Sequence, residues 1–246
     1  MMPEMIIFDY GKTLFKEGEF VRKKGIKAVI EKAVRNPMNI DSDTIEEFAK
    51  ELDAEIGRFD PQNKENFNLE VHNHSFMNYL YEYFGLEFDL SVPELEEIFW
   101  NNVCEVSPTE NVNELMEYLY KKGIRTGVIS NISISGAALK KRIDNGIKHH
   151  FEFIIASSEY VFRKPSKRLF ELALRKAGSS ADKVWYCGDN PYFDMKGAND
   201  SGLYPIWYTY NKKDENLSFE NLPFEHLHIC NWNELIEYIE KMTDKK

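Results

Sequence analysis

Hydrophobic and polar positions change rhythm along this chain. A short apolar run, Met5 to Phe8, is β-prone and breaks abruptly at Asp9-Tyr10-Gly11. That is the pattern of a buried strand running into a loop. From about residue 19 to residue 102, apolar residues recur at helical spacing instead. Val21, Ile26, Val29, Ile30 and Ala33 predict one helix, and Ile45, Phe48, Leu52 and Ile56 a second. Asp43 with Glu46, and Ser91 with Glu94, have capping-box spacing, which predicts helix starts at both places. Gly85 suits the end of an aromatic-rich helix whose Phe76, Tyr79, Tyr83 and Phe84 read as core at helical spacing.

After Pro108 the rhythm alternates. A helix around Leu115 to Lys122 stops at Gly123, and strands are predicted at Thr126 to Ser130, Phe153 to Ala156, Val184 to Cys187 and Tyr204 to Trp207. Alternating strands and helices predict an α/β fold, a Rossmann-like parallel sheet covered on both faces. The helical stretch then becomes an all-helical insertion, with residues 1–18 and 106–246 forming the core and 19–105 the insert. His149-His150 read as a helix end, where a cation suits the dipole. The charged tail, Asp244 to Lys246, reads as frayed.

Charge narrows the partners. The net charge is -10, and lysines and arginines are interspersed with acids, so no basic face is available to displace counterions from nucleic acid. An anionic substrate would need a local cation or a metal. Cys104, Cys187 and Cys230 are odd in number and far apart, which argues against a disulfide framework; Cys187 reads as a small buried hydrophobe. No signal-peptide pattern and no membrane-length apolar stretch is present, so a cytoplasmic location is expected. Oligomeric state carries no signal in the sequence.

The chemistry falls at strand ends, where open parallel sheets place their sites. Asp9 follows the first strand, Ser130-Asn131 the second, and Asp189 through Asp194 the Val184 strand, with Lys164-Pro165 between the last two. Taken singly, each has a bland explanation: a turn former, a helix cap, a lysine before a proline at helix position N1. Taken in order, they resemble the haloacid dehalogenase (HAD) superfamily. Its four signatures appear as Phe8-Asp9-Tyr10-Gly11-Lys12-Thr13-Leu14, Ile129-Ser130-Asn131, Lys164-Pro165 and Gly188-Asp189-Asn190-Pro191-Tyr192-Phe193-Asp194.

The resemblance spans nearly the whole chain and implies a Mg²⁺-dependent phosphatase acting on a small phosphorylated metabolite, with the insert as a C1-type helical cap. It makes Asp9 the nucleophile, which would form an acyl phosphate, and Lys164 a fixed cation. It assigns phosphate contacts to Ser130, Asn131 and Thr13. Metal ligation falls to Asp9, Asp189 and the Gly11 carbonyl, with Asp194 acting through water or orienting Lys164.

One position departs from the pattern. Where the family motif D-x-D-x-T carries its second aspartate, this chain has Gly11. That residue serves as general acid and base, worth about 10²–10⁴-fold, so hydrolysis is expected to be attenuated. Alternatives on the same scaffold are a phosphonatase, a phosphotransferase, or a protein that binds a phosphometabolite with little turnover. Dehalogenases also lack the second aspartate, but retention of Asp189 and Asp194 counts against that reading. A phosphonatase needs a cap lysine, for which Lys50 is the candidate; Lys12 could add a local cation. His72 and His74 could line a pocket, and Phe20 and Arg22 lie where a cap would approach.

Overall fold

The computed structural model describes residues 2–63, 65–210 and 222–243; Asp244 to Lys246, expected to fray, lie outside the described residues. In chain order, β1 (Met5–Phe8) and β2 (Phe15–Glu17) lead into four helices: α1 (Arg22–Ile30), α2 (Ser42–Ile56), α3 (Asn73–Tyr83) and α4 (Val92–Val103). The chain then returns through β3 (Val106–Pro108) to α5 (Val112–Lys121), β4 (Arg125–Ser130), α6 (Gly136–Gly146) and β5 (Phe151–Ala156). It closes with α7 (Lys167–Ala177), β6 (Val184–Gly188), α8 (Gly197–Asp200), β7 (Tyr204–Tyr208), β8 (Leu227–Ile229) and α9 (Trp232–Thr243).

Six strands form one parallel sheet in the order β5-β4-β1-β6-β7-β8. All four β1 side chains are fully buried because both faces of the sheet are covered. Side chains alternate across a strand. Met5 and Ile7 therefore pack with Leu169, Phe170 and Ala173 of α7. Ile6 and Phe8 pack with Leu115 and Leu119 of α5 and with Trp232 and Leu235 of α9. Burial of each such side chain is worth roughly 1.5–3 kcal/mol. From β1 the chain builds outward to β4 and β5, then crosses back to place β6 on the other side of β1. The strand order thus reverses beside β1, and a crevice opens at the C-terminal ends of β1, β4 and β6.

The four helices between β2 and β3 pack mainly α1 on α4. A Cβ on Gly25 would stand 2.5 Å from Val103 and 2.7 Å from Phe99, so glycine sets how closely those two helices approach. The expected capping box at Ser91 and Glu94 is present, but α2 starts at Asp41, whose side chain accepts from the Thr44 amide 2.9 Å away. Asp43 instead lies inside the first turn. On α3 the buried positions are Asn73, Met77, Leu80 and Tyr81. Tyr79 and Tyr83, expected in the core, fall on the other side of that stripe and lie more than half exposed, stacked on Phe48.

β2 and β3 pair antiparallel, with Glu17 opposite Val106, so the chain enters and leaves the helical block through one two-stranded flap. Just beyond it, the Gly18 amide donates to the Glu105 carbonyl at 2.9 Å. Neither strand stands out by apolar pattern, since each is only three residues long. His149-His150 do not end a helix: α6 stops at Gly146. His149 stacks on Phe151 and pairs with Asp144 at 3.0 Å in the connection to β5. No helix among the described residues is long and apolar enough to cross a membrane.

Candidate active site

The end of β1 delivers Asp9 into the crevice, only 6% exposed, with its amide donating 2.8 Å to the Cys187 carbonyl on β6. Lys164 comes from the loop before α7. The Asn131 side chain clamps that loop, donating to the Lys164 carbonyl at 2.9 Å and accepting its amide at 2.6 Å. The buried ammonium of Lys164 has three donors and uses all of them. It donates to Asp9 Oδ1 and Asp194 Oδ1, both at 2.6 Å, and to the Tyr186 hydroxyl at 2.8 Å. Tyr186 in turn donates to Asp194 Oδ1 at 3.0 Å.

Asp194 is committed on both oxygens, because its Oδ2 accepts the Asn190 amide at 2.9 Å. This packing requires glycine at 188, where a Cβ would fall 2.5 Å from the Asp194 carboxyl carbon. Asn190 caps the turn that follows, accepting from the Tyr192 and Phe193 amides. Local capping therefore aims the Asp194 carboxylate inward.

Asp9, Asp189 and Asp194 each offer an oxygen, all within 4.8 Å of one another. One lysine does not balance three carboxylates. Burial pushes Asp9 well above the usual carboxylate range, and Asp194 and Asp189 add to the effect while Lys164 opposes it. Asp189 is pushed up to about 6, first by burial and then by Asp194. Burial works against the Lys164 charge, but Asp194 and Asp9 outweigh it and hold the ammonium protonated. Hard oxygen donors with surplus negative charge suit a divalent cation such as Mg²⁺.

Above this floor lies a cavity of about 460 Å³, walled by core and helical block together. Ser130 and Asn131 line it beside Asp9, Lys164 and Asp189, as do Gly11 and Lys12. Thr13 is fully buried outside the cavity wall, with its hydroxyl 3.5 Å from Asp9 Oδ2. From the block, Phe20 and Arg22 reach the cavity, Arg22 paired with Asp53 at 2.5 Å. Lys50 does not line it and pairs with Glu46 at 3.6 Å. His72 and His74 stand outside as well; His72 caps α3 and His74 bonds Glu96 at 2.9 Å.

Several cavity residues escaped the sequence reading. Tyr186 is a polar side chain inside a fully buried strand, a signal that could have marked it. Arg58 bridges Asp53 and Glu70, at 3.3 and 2.9 Å. Arg163 lies against Phe59 and Phe193, with Nε and Nη1 lacking a hydrogen-bond partner among the described residues. Glu17, on the flap, lines the cavity next to Gly11; burial raises its pKa, opposed by Lys12 and Arg142.

A profile of the family described as haloacid dehalogenase-like hydrolase matches residues 6–207. A glyceraldehyde 3-phosphate phosphatase of Methanothermobacter thermautotrophicus is 28% identical over 207 residues, covering 83% of this chain and 85% of that protein. One of the same name from Pyrococcus furiosus is 25% identical, over 97% of this chain and 93% of that protein. Among solved structures, a 2-haloacid dehalogenase from Pseudomonas syringae superposes with a TM-score of 0.66, at 21% identity, over 98% of this chain and 100% of that one. That likeness is one of fold.

Proposed function

The chain belongs to the haloacid dehalogenase-like hydrolases, and on that premise we propose that it removes phosphate from a small phosphorylated metabolite through a covalent phospho-Asp9 intermediate. The observation that carries this reading is the Lys164 ammonium, bonded at 2.6 Å to both Asp9 and Asp194 at the floor of the cavity. A carboxylate needs positive charge beside it before it can attack an anion. Mg²⁺, held by Asp9, Asp189 and the Gly11 carbonyl, would supply further charge to the phosphoryl oxygens when bound. Asp194, with both oxygens engaged, holds Lys164 in place and stays outside direct ligation.

In the first step an Asp9 oxygen bonds to phosphorus, the bond to the leaving oxygen breaks, and that oxygen takes a proton. In the second, water bonds to phosphorus, the Asp9–phosphorus bond breaks, and the water gives up a proton. Ser130 and the amide of Asn131 bind the phosphoryl oxygens. The helical block acts as a cap, and its cavity-facing residues select the substrate. A phosphonatase would need a block lysine at the site, and Lys50 lies outside the cavity. The two phosphatase relatives make triose phosphates the first compounds to try.

Steady-state phosphate release over a panel of phosphorylated metabolites with Mg²⁺ tests this reading. Release is expected from at least one, and Asp9→Asn is expected to lower it on the order of 10⁴-fold or more. A folded wild-type protein that releases phosphate from none, or an Asp9→Asn variant at full rate, would sink it.

A further inference from the structure

Both steps proposed for Asp9 move a proton, to the leaving oxygen and then from water. The loop that carries Asp9 offers no carboxyl for the purpose, because position 11 is glycine. A side chain built at position 11 would nevertheless meet a carboxyl group. An ideal Cβ on Gly11 falls 2.8 Å from Glu17 Oε2, 2.9 Å from Oε1 and 3.0 Å from the carboxyl carbon. Those are contacts too short for a Cβ and the carboxyl to coexist where the carboxyl now stands. Glu17 has thus delivered a carboxyl to the volume that a side chain at position 11 would claim. The backbone at Gly11 does not itself demand glycine, since its φ is not positive. What crowds a side chain there is the Glu17 carboxyl.

Three further observations limit what Glu17 can be doing. Its carboxyl makes no hydrogen bond or ion pair within 4 Å with any described residue, and only the longer-range charges of Lys12 and Arg142 act on it. It also stands apart from the acidic cluster of Asp9, Asp189 and Asp194, so it is not a fourth member of the metal set. Finally, although the residue is exposed along the outer groove of the flap, it also lines the cavity. Its backbone is fixed independently of any ligand. β2 pairs with β3, the Phe15 amide donates to the Tyr10 carbonyl at 3.0 Å, and the Phe15 ring packs on Tyr10 at 4.8 Å. Phe15 and Glu17 share one face of that strand, so the anchoring of one directs the other.

We propose that Glu17 is the proton donor and acceptor of this enzyme, standing in for the carboxyl that position 11 lacks. The inference rests on the phospho-Asp9 reading above. The Glu17 carboxylic acid gives its proton to the leaving oxygen as the phosphorus–oxygen bond breaks. The resulting carboxylate then takes a proton from the water that attacks phospho-Asp9, which returns Glu17 to its acid form and Asp9 to its carboxylate. The flap therefore completes the site, and the activity need not be attenuated by Gly11.

The test compares wild type, Glu17→Gln and the exchange variant Gly11→Asp/Glu17→Ala, on an alkyl phosphate that the wild type hydrolyses and on p-nitrophenyl phosphate. Rapid quenching would follow phospho-Asp9. Glu17→Gln is expected to lower alkyl phosphate turnover about 10²-fold or more. Its phosphorylation by p-nitrophenyl phosphate should change far less, because that leaving group departs without a proton, and the phosphoenzyme should accumulate as a burst. The exchange variant should recover the turnover that Glu17→Gln loses. Thermal melts would show that each variant is folded. An active wild type with an indifferent Glu17→Gln, or equal losses of phosphorylation rate on both substrates, would overturn the role of Glu17 alone. A wild type inert to every phosphate would bring down the Asp9 reading as well.

Discussion

Lys164 and Glu17 are both ionisable groups facing the loop that carries Asp9, yet the structure surrounds them differently. Lys164 is buried on the floor of the cavity, and each of its three hydrogens has an acceptor. Glu17 hangs from a three-residue strand and makes no hydrogen bond among the described residues, with only the charges of Lys12 and Arg142 acting on it. The floor is preorganised: moving any member would strand a buried charge, a cost of several kcal/mol. The flap carboxyl belongs to no such network, so moving it strands no buried charge. Rigidity and reactivity are thus assigned to different elements of one site.

Removing the floor's cation is the harshest test of that contrast. Lys164→Met leaves Asp9 and Asp194 buried without their shared partner, and it is expected to cost about 3–5 kcal/mol in denaturant unfolding. Lys164→Arg should not restore activity, because a planar fork cannot make three divergent bonds. A Lys164→Met protein as stable as wild type would mean that the network is not the rigid part.

The floor was legible in the sequence because its residues are set locally. Asp9 and Asp189 each follow a strand and Ser130 ends one, the apolar run of each marks where it stops, and the parallel order brings those ends together. Glu17 was not legible. Its position depends on β2 finding β3 across the whole helical block, and three residues carry no readable period. The same limit explains Asp43, read as a cap when Asp41 two residues earlier holds the amide. It also explains Tyr79 and Tyr83, whose helical spacing was clear although the buried face of α3 was set by partners elsewhere in the chain. Spacing reveals which residues share a face but not which face is covered.

The surplus of negative charge on the floor provides a second test, independent of turnover. Mg²⁺ should raise the melting temperature, by the equivalent of about 2.7 kcal/mol at a hundredfold excess over its dissociation constant. Asp189→Asn should remove most of that rise. A melting temperature indifferent to Mg²⁺ would show that the three carboxylates reach balance without a cation.

A smaller pair of effects sharpens the comparison. Tyr186→Phe deletes a buried hydroxyl that both Lys164 and Asp194 use, and it should cost about 1–3 kcal/mol. Glu17→Gln should stay within about 0.5 kcal/mol of wild type. Equal losses in the two variants, read from denaturant midpoints, would erase the distinction between floor and flap.

The bond from the Gly18 amide to the Glu105 carbonyl has a consequence for how such a chain can be rebuilt. At that point the two ends of the helical block meet, so everything between them is a closed excursion, and its length can vary without pulling on the sheet. A foreign block spliced between Gly18 and Glu105 would inherit β2, β3 and Glu17 intact. A splice made a few residues earlier, within β2, would discard Glu17 with the old block. The seam that separates recognition from reaction therefore runs just after the flap, and Glu17 falls on the side of reaction.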